Sequence, residues 1–72
     1  MNELASAQAT YDGNLAEYEY QKKNFERNKG LYEQSLISEQ EYDDSEYSYK
    51  KSKSALESSK AALAKAQRNL SY

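Results

Sequence analysis

Seventy-two residues make about half of an ordinary domain, so one thin core is the most the chain can build. The sequence has no cysteine, histidine, proline or tryptophan, which removes thiol and histidine chemistry, disulfides and the usual zinc ligands from its inventory. Ten basic against twelve acidic residues give a net charge of −2, so nothing draws the chain toward nucleic acid or anionic lipid over distance.

The chain opens on a seven-residue ladder: Leu4, Tyr11, Tyr18, Phe25 and Tyr32 are all apolar or aromatic, the repeat of a coiled-coil seam. The spacing predicts helix one over about residues 2–34. Its companion column is read as Gln8, Leu15, Lys22 and Lys29, a modest seam in which the lysine stems supply apolar contact. Lys22, Lys23, Arg27 and Lys29 fall late in this helix, near the negative end of its dipole. Leu31 breaks the pattern, since a step of about 100° per residue carries it away from the seam to the solvent side, with Arg27 one turn earlier on the same outer face.

The stretch "LISEQEYDD" then predicts a turn over about 35–38. Ser38 is placed to cap helix two, with Glu41 three residues on completing a capping box and Ile37 packing on Tyr42 as a hydrophobic staple. Glu39, Glu41, Asp43 and Asp44 suit the positive end of the new helix, and their spacing, without the turn glycine, is not that of a calcium loop.

Helix two, expected over about 39–71, carries its own ladder of Tyr42, Tyr49, Leu56, Leu63 and Leu70, with small side chains three residues after the first four, at Ser45, Ser52, Ser59 and Ala66. Small columns let helices approach closely. The two ladders are out of phase along the chain, so they cannot share one straight rod. Folded back, they pair at one register as Leu4 with Leu70, Tyr11 with Leu63, Tyr18 with Leu56, Phe25 with Tyr49 and Tyr32 with Tyr42. The fold class is therefore all-α, an antiparallel coiled-coil hairpin spanning residues 1–72, about 50 Å long and marginally stable alone. Its termini share one end, which suggests a hairpin excised from a larger parent.

Five of the eight tyrosines occupy the seam, so core packing accounts for them better than a stacking platform for single-stranded nucleic acid. Arg27 has a bland role in balancing a helix dipole, Leu31 as a single exposed leucine, and Ser38 as a cap. Together on one tip with Leu36 and Ile37 nearby, they form a candidate docking patch.

Arg27, Leu31 four residues later and Ser38 seven after that resemble the Arg-Leu-Ser tip motif of bacterial periplasmic adaptors, the membrane fusion proteins of the HlyD/RND type. "ISEQEYD" and the closing "AQRNLSY" are similar to the turn and exit of such hairpins, and the resemblance covers essentially the whole chain. It implies a non-enzymatic docking element without metal or cofactor, in the periplasm, in a parent with lipoyl and β-barrel domains anchored to the inner membrane. It also implies partners: a TolC-type outer-membrane channel at the tip, neighbouring adaptor hairpins in a ring, usually hexameric, and an inner-membrane transporter reached through the other domains, for drug efflux or secretion. Arg27, Leu31 and Ser38 would meet the channel, with Leu36 and Ile37 as further tip contacts. Two other readings stand beside it: a plain structural spacer or dimerisation hairpin, and a nucleic-acid-binding arm, which the balanced charge disfavours.

Overall fold

The computed structural model describes residues 3–70, the side chain of Leu70 excepted. Helix α1 spans Glu3–Glu33 and helix α2 spans Glu39–Leu70. They lie against each other in a rod of 56 × 15 × 13 Å, the hairpin expected from the two ladders. No helix among the described residues is long and apolar enough to cross a membrane.

The seam is held by rings rather than by a sealed core. Tyr32 stacks on Tyr42 with centroids 4.8 Å apart and planes 11° from parallel, and Phe25 stacks on Tyr49 at 5.3 Å and 9°. Both are pairs that the expected register names. Two further contacts join and extend these pairs: Phe25 meets Tyr42 at 5.5 Å, and Tyr18 meets Tyr49 at 5.7 Å. The five rings thus alternate between helices in one stack, each pair worth on the order of 1 kcal/mol beyond its buried area. Toward the other end Tyr11, Leu56 and Leu63 are half-buried. Leu4 is half-buried as well, while the side chain of its expected partner, Leu70, lies outside the described ones.

The most deeply buried residues are serines. Ser45, Ser52 and Ser59 are 5–6% exposed, while no apolar side chain among the described residues is fully buried. Each hydroxyl donates back to the carbonyl three residues earlier, on Tyr42, Tyr49 and Leu56, at 2.8–2.9 Å. A buried hydroxyl without a partner would be costly, and this local bond removes that cost while keeping the side chain short. The small column of α2 is therefore where the helices come closest, as its composition indicates.

The companion column of α1 differs from the expectation. Ala7, Asn14, Gln21 and Asn28 are half-buried, whereas Gln8, Lys22 and Lys29 are exposed; of the expected set only Leu15 is half-buried. The second column follows the first by three residues in both helices. Packing turns Asn14 inward far enough for its amide to donate to the Ala55 carbonyl of α2, at 3.3 Å. Lysine stems therefore contribute little to the seam, and amides take their place.

Candidate functional site

The tip is five residues, Gln34 to Ser38, clamped at both ends. At the end of α1 the Leu36 N–H donates to the Leu31 carbonyl at 2.8 Å and the Ser35 N–H to the Tyr32 carbonyl at 2.9 Å. This is the Schellman arrangement, and it requires a left-handed residue between helix and exit. Ser35 fills that place at φ 60°. Glycine is the usual occupant because a Cβ is disfavoured there. The last turn of α1 holds no cation, so the basic residues expected to balance its dipole stop short of the end, and these backbone bonds satisfy the final carbonyls instead.

A Schellman end commonly joins the apolar side chains of its first and last members, here Leu31 and Leu36. Leu31 is accordingly half-buried, a correction to the freely exposed residue the helical wheel suggests. Leu36 carries the exposed apolar surface of the tip, at 64%. The neighbouring Ile37 is half-buried, as is Tyr42. The adjacent apolar pair is thus divided between two helix ends, Leu36 closing α1 and Ile37 opening α2.

Ser38 caps α2. The Glu41 N–H donates to Ser38 Oγ at 3.1 Å, and the Ser38 carbonyl accepts the first helical bond, from the Tyr42 N–H, at 3.1 Å. The expected box is present in altered form: the Ser38 hydroxyl donates to Glu41 Oε1 at 3.3 Å, so the carboxylate meets the hydroxyl. Glu39 and Glu41 occupy the first turn, where the dipole favours them.

Arg27 stands on α1 below the turn, exposed. Its Nη2 donates to Asn24 Oδ1 at 2.7 Å, which steadies the guanidinium near the helix surface and uses one of its five donors. The tip therefore offers a tethered cation, an exposed leucine and a rigid turn. Sequence reasoning missed the roles of Ser35 and Asn24. A leucine pair five residues apart around a helix end signals a Schellman motif, but serine in place of glycine hides it.

A protein-family model described as "RND MFP, alpha-helical hairpin domain" matches residues 3–72. The chain belongs to this family of membrane fusion protein hairpins. The family is a structural adaptor domain of periplasmic proteins in RND efflux, working within tripartite pump assemblies, so the hairpin is a periplasmic adaptor element. Comparison with curated proteins and with solved structures gives no match.

Proposed function

We propose that the tip of this membrane fusion protein hairpin docks onto a TolC-type outer-membrane channel. By that contact it links an inner-membrane transporter to the channel for the export of drugs or secreted molecules. The element acts by geometry and catalyses nothing. Its parent carries lipoyl and β-barrel domains, is held at the inner membrane and assembles as a ring, usually hexameric, in which hairpins stand side by side.

The observation that carries this reading is the tip itself. A turn locked from both ends presents Leu36 at 64% exposure, with an exposed cation, Arg27, on α1 below it. An exposed apolar side chain on a rigid turn loses little entropy on docking, and a guanidinium suits carbonyls and carboxylates on helical channel tips. Leu31 holds Leu36 in place through its carbonyl, which accepts from the Leu36 N–H. Ser38, its hydroxyl already engaged with Glu41, serves by holding the turn in shape.

In the intact protein, Leu31→Ser or Ser38→Arg abolishes export while circular dichroism of the hairpin stays helical. Ser38→Asp, which retains a capping oxygen, keeps export. Normal export in the first two variants, with loss in the seam variant Leu56→Ser, would make the hairpin a spacer and remove the docking role.

A further inference from the structure

Two groups of the tip region are fixed before any partner arrives. Leu36 is held by the turn, and Arg27 by Asn24, whose Oδ1 accepts from Nη2 at 2.7 Å. Asn24 is itself well anchored. It is half-buried, lines the groove between the helices with Asn28, Glu41 and Asp44, and precedes Phe25, the ring clasped between Tyr42 and Tyr49. The constraint thus passes from the ring stack through the backbone of residues 24 and 25 to an amide, and from the amide to the guanidinium. Lys22, Lys23 and Lys29, the other cations of this half of α1, are exposed, and among the described residues their side chains form no ion pair.

The chemistry of the anchor matters as much as its place. A carboxylate one turn from Arg27 would hold the side chain but offset its charge as well. The positions one turn away on α1 are Lys23, Asn24, Gly30 and Leu31, none of them acidic, and Asp44, which shares the groove with Asn24, forms no ion pair with Arg27. A neutral acceptor takes one donor and leaves the full charge. An arginine without such a tether carries much rotamer freedom, which a partner has to remove on binding.

We propose that Asn24 is a positioning residue for docking: it holds Arg27 in the orientation in which the guanidinium meets a carboxylate or carbonyl of the channel tip. Part of the ordering cost is then met before contact. This rests on the docking reading above and adds to it a residue that acts through Arg27 and has no need to touch the channel.

The test is a double-mutant cycle in the intact protein, read as the dissociation constant for a purified TolC-type channel at about 0.3 M salt, where distant charges are screened. Arg27→Ala weakens binding about tenfold or more. Asn24→Ala weakens it about fivefold without lowering the melting temperature, and costs nothing further once Arg27 is alanine. Asn24→Asp, which keeps the acceptor and loses the amide donors, binds within about twofold of the natural protein. Natural affinity in Asn24→Ala, with Arg27→Ala still weak, would overturn the positioning role and leave docking in place. So would a loss that persists in the Arg27→Ala background or that Asn24→Asp shares, since the amide would then act on its own. Full binding by Arg27→Ala would remove the cation from docking, and the role of Asn24 with it.

Discussion

Ser35 is the residue with the clearest energetic conflict. It occupies the left-handed position at φ 60° that closes α1, where an L side chain costs about 1 kcal/mol relative to glycine. Ser35→Gly should therefore stabilise the hairpin by about 1 kcal/mol in urea or thermal unfolding followed by circular dichroism. A loss of stability would show that the serine side chain has an unseen compensating role. Ser38, in contrast, was legible in the sequence as a cap, because capping depends on residues three apart in one segment and needs no tertiary partner. Leu31 was misplaced for the opposite reason: a helical wheel assumes that the helix continues, whereas the chain exits α1 here and folds Leu36 back toward it. Arg27 was legible as an exposed cation, and its tether to Asn24 was not, since rotamers decide such bonds.

At the scale of the helices, the small column of α2 sets the approach of α1. Ser52 is 6% exposed, and its hydroxyl bonds only within its own helix. Ser52→Leu should push the helices apart and cost about 1–3 kcal/mol, while Ser52→Ala should change stability by less than about 1 kcal/mol, because the Tyr49 carbonyl it releases belongs to the helical ladder. Equal stability of the leucine variant would mean that the helices do not pack through this column. The first column of each helix stood out in the sequence because its members are apolar at an unbroken step. The second column of α1 did not: Ala7, Asn14, Gln21 and Asn28 are no more apolar than the set beginning at Gln8. The clue was in the other helix, where the small residues follow the ladder by three; packed helices of one hand share that offset.

For the molecule as a whole, the ring stack makes stability depend on pH at the alkaline end. Tyr18 has its pKa raised above the ordinary value of 10.0, first by a hydrogen bond with Tyr49, then by desolvation and nearby negative charge. A folded-state pKa above the unfolded one means that the stabilisation is complete below pH about 10 and is lost as pH rises through the folded value. The melting temperature should therefore hold steady from neutral pH up to about 9 and fall above about 10, with a shallower fall in Tyr49→Phe, which removes the partner. A Tyr18 that titrates at its ordinary value by tyrosinate absorbance would contradict this.

The sequence by itself determined the class, the fold-back, the facing of the two ladders, the tight serine column and the cap at Ser38, since each rests on a repeat or a local spacing that one segment displays. Only the tertiary structure decided which side of the α1 ladder turns inward, that Phe25 sits between Tyr42 and Tyr49, and how Leu31 and Leu36 divide exposure at the tip. Those features depend on how α1 rotates and ends against α2, and the residues of α1, polar on both sides of its ladder, do not carry that angle by themselves.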